Sequence, residues 1–176
     1  MLEEGKKAPA FKLADANGNN PRKITDGDCP VWSPDSQALY FISGSAITKV
    51  NIDGSGRTKV KDSVDSSSPN AYAFSVSPDG RTLVYTSKGI LYALSLSNGN
   101  TRALTSAAIG KVRTPNFSPD GNWIAFSMET GGQDTDIYLM QLNGTGLHRL
   151  TFDSLGNFTP YWSPDGVWVG FVGRNG

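Results

Sequence analysis

Four near-copies of one tetrapeptide punctuate the chain: Ser33-Pro34-Asp35-Ser36, Ser77-Pro78-Asp79-Gly80, Ser118-Pro119-Asp120-Gly121 and Ser163-Pro164-Asp165-Gly166. Their spacings of 44, 41 and 45 residues define a repeat. A period of roughly 40–50 residues, with short apolar runs between turn signals, marks stacked sheet units.

Apolar residues fall six and eight positions after each serine: Leu39 and Phe41, Leu83 and Tyr85, Ile124 and Phe126, Val169 and Phe171. That alternation is the period of a strand. Val31-Trp32, Phe74 and Val76, Phe117, and Tyr161-Trp162 precede the motif, so a second strand enters each turn and the motif joins a hairpin. Proline presets φ for a turn, aspartate bonds back to the following backbone, and glycine accepts a left-handed ending. Ser36 replaces that glycine, which predicts a strained residue. Because the aspartates Asp35, Asp79, Asp120 and Asp165 recur with the turn, they read as structural residues and not as a ring of carboxylates. Trp32, Phe74, Phe117 and Trp162 are expected in the core between units.

Further along come Ile47 to Ile52, Ile90 to Leu96 and Ile137 to Leu142, followed by Asp53-Gly54, Asn98-Gly99 and Asn143-Gly144. These dipeptides signal tight turns, and a short strand follows each: Arg57 to Val60, Thr101 to Thr105, and His148 to Thr151. The chain is therefore all-β, with four-stranded antiparallel units at 29–60, 72–105 and 113–151. Residues 11–25 read as the last two strands of a unit and residues 159–172 as the first two.

These units resemble the WD40-like repeat of TolB-type β-propellers. The likeness is carried by Thr159-Pro160-Tyr161-Trp162-Ser163-Pro164-Asp165-Gly166, by Asp136-Ile137-Tyr138-Leu139-Met140 and by His148-Arg149-Leu150-Thr151. It implies a single β-propeller domain over residues 1–176, with four blade-equivalents and the two half-blades joined two strands to two. Closure within one chain gives a four-bladed monomer; between two chains it gives a homodimer forming an eight-bladed ring, which spares each blade a wide splay. A third arrangement is a fragment of a larger ring. The opening Leu2-Glu3-Glu4-Gly5-Lys6-Lys7-Ala8-Pro9-Ala10-Phe11 also looks like the start of thioredoxin-fold peroxidases, but the likeness ends within about 20 residues and no peroxidatic cysteine follows.

Sixteen basic residues balance sixteen acidic ones, which gives no overall attraction to nucleic acid. No apolar run reaches bilayer length, and the start lacks an export signal. The expectation is a cytosolic chain or one whose leader was removed; the resemblance favours the periplasm or cell envelope. Cys29 stands alone and is expected to be buried and unreactive, while His148, the single histidine, is expected to be solvated.

Irregular connections gather at the blade end opposite the Ser-Pro-Asp turns, where loops on a rigid scaffold usually carry binding residues. The candidates are Asp26, Asp28, Asp62, Asp65, Arg113, Glu129, Asp134, Asp136, Asp153 and Phe158, a mildly acidic face. No catalytic constellation is visible, so no catalytic residue, resident metal or cofactor is assigned. Calcium is a minor alternative at Asp26-Gly27-Asp28 and Asp134-Thr135-Asp136, neither of which carries a full ligand run. The leading expectation is a non-catalytic scaffold that binds a protein or peptide. The alternatives are a propeller hydrolase or lyase, or an accessory domain of a peptidase or glycan-processing enzyme, and a truncated or built scaffold without a ligand.

Overall fold

Each Ser-Pro-Asp motif closes one and the same ring of hydrogen bonds. The serine hydroxyl donates to the aspartate carboxylate at 2.5–2.6 Å and accepts the amide five residues on, at 2.8–2.9 Å. The carboxylate also accepts the amide two residues beyond itself. Position four is left-handed in every copy, with φ of 70°, 75° and 72° at Gly80, Gly121 and Gly166 and 58° at Ser36. Serine is strained there by about 1–2 kcal/mol. Glycine gives part of that back through its freer unfolded chain, so Ser36→Gly should stabilise the protein by about 0.5–1 kcal/mol. A urea midpoint that stays put or falls would contradict this.

In all four turns the serine hydroxyl is the main cause that holds the aspartate below the ordinary carboxylate range, with the backbone amide second. A depressed native pKa contributes stability that is complete above the unfolded value of 3.8 and is lost as pH falls through the lower native value. Stability should therefore fall on acidification below about pH 4, and replacing the four aspartates by asparagine should flatten that slope in acid titrations followed by circular dichroism.

The computed structural model describes residues 10–62, 64, 74–131, 134–153 and 156–174. Contacts divide the chain into two units, Met1–Pro69 and Asn70–Gly176. In the first, β1 (Ala10–Leu13) and β2 (Arg22–Asp26) form a two-stranded sheet. β3 (Asp28–Trp32), β4 (Ala38–Ser43), β5 (Ala46–Asn51) and β6 (Thr58–Lys61) form a four-stranded one. The second contains β7 (Phe74–Val76), β8 (Thr82–Ser87), β9 (Ile90–Ser95) and β10 (Thr101–Ala103) as one four-stranded sheet. β11 (Lys111–Phe117), β12 (Trp123–Glu129), β13 (Thr135–Gln141) and β14 (His148–Arg149) form another, and β15 (Asn157–Trp162) with β16 (Val169–Gly173) form a two-stranded sheet. Every ladder is antiparallel and joins consecutive strands.

A threonine fastens the outer strands. Thr105 Oγ1 accepts the Leu91 amide at 2.9 Å and Thr151 Oγ1 accepts the Ile137 amide at 3.0 Å. Thr151 also donates to Asp136, whose buried carboxylate pairs with Arg149 at 2.8 Å.

Three strands that enter a Ser-Pro-Asp turn share an irregularity. β3, β11 and β15 each shift register between residues 28 and 31, 113 and 116, and 158 and 161. At each shift a residue before proline takes positive φ: Cys29 at 53°, Thr114 at 49° and Thr159 at 55°. These are β-bulges, in which one extra residue bends the strand and resets its alternation. In β11 the buried positions are Val112 and Thr114 before the bulge and Pro115 and Phe117 after it. Burial, and secondarily the Asp28 carboxylate, pushes the half-buried Cys29 thiol up.

The core of the first unit joins Leu39, Phe41 and Val50 to Phe11, Leu13 and Ile24, with Phe11 edge-on to Phe41 at 5.1 Å. In the second unit Val84, Leu91, Phe117, Ile124, Phe126 and Met140 belong to one cluster. Phe74 and Phe117 are core residues, as expected from the repeat. Trp32 and Trp162 are not: Trp32 is 49% exposed, and Trp162 is half-buried on a sheet of only two strands.

Candidate functional site

Antiparallel pairing sorts the ends of each sheet. In β11 to β14 the start of β11 lies beside the end of β12 and the start of β13, Lys111 opposite Glu129 and Glu129 opposite Thr135. The Ser118 turn closes the other end. The start of β11, the end of β12, the start of β13 and the end of β14 thus all lie at the end that carries Lys111 and Glu129.

At that end three charged side chains converge. Glu129 meets Lys111 at 3.7 Å and Arg113 at 3.9 Å, with all three partly open to solvent. Their anchorage is rigid: Val112, Ser127 and Met128 between them are buried, and the Thr114 and Ser127 hydroxyls bond each other at 2.9 Å. Gly110 brings the preceding loop across the Glu129 carbonyl so closely, with φ 135°, that any side chain there would strike it. The neighbouring Lys88-Gly89 turn reaches Lys111 through the bond from the Val112 amide to the Gly89 carbonyl, 2.8 Å.

The other predicted residues are spread out. Asp26 is paired with Lys23 and Asp62 with Lys59, each within its own strand end. Asp28 opens β3, opposite Ile42. Asp134 is exposed at the entry to β13, whereas Asp136, two residues on, is 2% exposed and bound to Arg149 and Thr151. Its carboxylate thus belongs to the sheet interior and not to the rim. Asp153 accepts the Asn157 amide group at 2.7 Å, and Phe158 lies under the Arg174 guanidinium at 5.8 Å. Asp65 and residues 2–9 of the peroxidase-like opening lie outside the described residues. Among the described residues no group of three His, Cys, Asp or Glu side chains has metal-ligand geometry.

Sequence reading passed over a second feature at the opposite end of the same unit. A groove of about 620 Å³ runs between β11–β14 and β15–β16, lined by Trp123, Leu139, His148 and Trp162 and by Asp120 and Asp165 of the two turns. His148 stands edge-on to Trp123 at 5.7 Å, and the buried Trp162 indole N–H has no hydrogen-bond partner. No single motif encodes this groove, because its residues come from four strands and two turns. The one legible signal was that His148 takes the repeat position of Arg102.

Comparison with known proteins agrees with this architecture. A family model described as the TolB beta propeller domain matches residues 2–176. An uncharacterised protein of Agrobacterium fabrum is 29% identical over 169 residues, 86% of this chain and 54% of that protein. The Tol-Pal system protein TolB of Francisella tularensis is 37% identical over 83 residues, 44% of this chain and 19% of its own length. An uncharacterised peptidase of Bacillus subtilis is 29% identical over 147 residues, 78% of this chain and 21% of the peptidase. Among solved structures, TolB from Acinetobacter baumannii superposes with a TM-score of 0.78 at 23% identity, covering 94% of this chain and 43% of TolB. Oligogalacturonate lyase from Vibrio parahaemolyticus superposes at 0.71 and 16% identity, covering 93% and 52%. The chain thus spans about half the length, or less, of the relatives it matches. With the repeated turn, the four-stranded antiparallel sheets and a family match over residues 2–176, the chain belongs to the TolB β-propeller domain family.

Proposed function

We propose that this chain is a non-catalytic propeller scaffold that binds an acidic peptide segment of a protein partner at the loop-bearing end of its blades. One observation carries the reading: Lys111 and Arg113 flank the single carboxylate of Glu129 on rigid strand ends. Within that three-residue cluster one positive charge is left over, already positioned, and complementary rim charges steer association and select partners. The resemblance to TolB-type repeats supports a protein partner and a place in the bacterial cell envelope.

The test is binding of a fluorescent acidic decapeptide, with neutral and basic peptides of equal length as controls. Lys111→Glu combined with Arg113→Glu should weaken acidic-peptide binding about tenfold at low salt and remove most of its salt dependence. The melting temperature should move little, since exposed substitutions usually stay within about 0.5 kcal/mol. Equal affinity for all three peptides, or no loss in the double variant, would sink the proposal.

A second reading is an accessory role beside an enzyme. It draws on the peptidase relative, in which the matched stretch is only 21% of the protein. Binding of acidic peptides by the isolated chain, with no turnover of peptides or of oligogalacturonate, separates the two.

A further inference from the structure

Among the described residues no strand covers the outer edge of β16. Its residues occupy repeat positions that are fully buried elsewhere: Phe171 is 43% exposed, whereas its counterparts Phe41, Tyr85 and Phe126 are 0%, 3% and 0%. Val172 is 61% exposed and Trp168, just before the strand, 71%. In each four-stranded sheet the same edge is covered by a third strand, whereas among the described residues β16 pairs only with β15. β1 is the converse case: among the described residues it pairs only with β2.

The complete sheets supply a template for joining the two edges. Ala38 pairs with Asn51, Thr82 with Ser95 and Trp123 with Gln141. Counted from the repeated serines Ser33, Ser77, Ser118 and Ser163, the residues Ala38, Thr82 and Trp123 all correspond to Trp168. The turn after the third strand fixes the other side: Asn51, Ser95 and Gln141 each receive the bond from the turn glycine, and so does Asp15, from Gly18. All three templates therefore give one register, with Trp168 opposite Asp15, Gly170 opposite Leu13, Phe171 opposite Lys12 and Val172 opposite Phe11. The hydrogen bonds agree. Ser163 takes the Trp168 carbonyl, and alternation along the strand then turns the amides and carbonyls of Val169, Phe171 and Gly173 toward the open edge.

The groove beside β16 fits the same join. Arg22 and Arg102 each donate to a carbonyl just past a third strand, that of Ile52 and that of Leu142. His148 holds the corresponding position, and the residue equivalent to Ile52 and Leu142 is Ala16. Where Leu142 is in place the matching cavity measures about 220 Å³, against about 620 Å³ beside His148. The difference leaves room for a turn of that kind.

We infer that the β1–β2 hairpin of a second copy of this chain docks on the β16 edge in this register, its turn entering the groove at His148, so that two copies exchange hairpins around a twofold axis. The strip of Trp168, Phe171 and Val172 offers roughly 350 Å² of surface to each joint. With the facing strands and both joints the total is roughly 1,400 Å², within the range of stable protein interfaces. Closed twofold exchange also leaves neither edge free to recruit further chains.

Two full-length variants test this, both carrying Cys29→Ala: one Lys12→Cys, the other Phe171→Cys. Opposed residues in an antiparallel hydrogen-bonded pair lie about 5.5 Å apart, within disulfide reach. Mixed and oxidised, the two should give a covalent dimer of twice 18.8 kDa, and pairing Lys12→Cys with Val169→Cys should give several-fold less. The unsubstituted chain should sediment at the dimer mass. Sedimentation at 18.8 kDa, cross-linking that ignores register, or a Lys12→Cys/Phe171→Cys chain that closes on itself at single-chain mass would each overturn the inference.

Discussion

Phe126→Ala should destabilise the second unit by about 3–5 kcal/mol, the usual cost of removing a buried aromatic ring. Phe126 is 0% exposed, stacks beside Tyr138 at 6.2 Å and lies in the cluster with Val84, Leu91, Phe117, Ile124 and Met140. The cluster draws on two four-stranded sheets, β7–β10 and β11–β14, so a cavity there loosens their packing together. Both walls are strands held by ladders on each side, which limits how far they can collapse into the gap. The measurement is guanidinium unfolding followed by tryptophan fluorescence, since Trp123, Trp162 and Trp168 all lie in this unit. A loss under about 1 kcal/mol would mean that Phe126 is not the centre of this core.

Arg149→Ala ranks second, at about 3 kcal/mol, the low end for breaking a buried ion pair because the guanidinium is partly exposed. The asymmetry is instructive. Asp136 is the buried partner, 3% exposed at its side chain, so removing arginine leaves a buried carboxylate with only the Thr151 hydroxyl. Asp136→Asn should cost less, because its amide oxygen can still accept from Thr151 and no unpaired charge remains. The double variant should therefore recover part of the Arg149→Ala loss; strict additivity in urea titrations would show that the pair contributes nothing as a pair.

Much of this fold was legible because the repeat is written in turn chemistry. Ser-Pro-Asp-Gly, Asp-Gly and Asn-Gly each demand one local backbone shape, and the structure has a turn at every copy; even the strain at Ser36 was readable. The candidate site was less so. Asp136 looked like a loop carboxylate by its position in the chain, yet one residue of strand parity places it inside with Arg149. Lys111 is legible as a cation of the loop face but not as a candidate, because its importance lies in facing Glu129, a relation set by ladder register. Trp32 and Trp162 followed the repeat in sequence, but burial of a residue depends on what covers it, and that is not written at its own position.

The bulge at Thr114-Pro115 has a consequence for where chemistry can evolve in this fold. Pro115 and Phe117 face inward; unbroken alternation would send Lys111 and Arg113 inward as well, burying two cations. The extra residue at Thr114 reverses the phase and turns both outward beside Glu129. The charged rim is thus owed to a one-residue offset in β11. Because the same offset recurs at Cys29 and Thr159, these blades too can place polar residues on the rim without altering the face that packs.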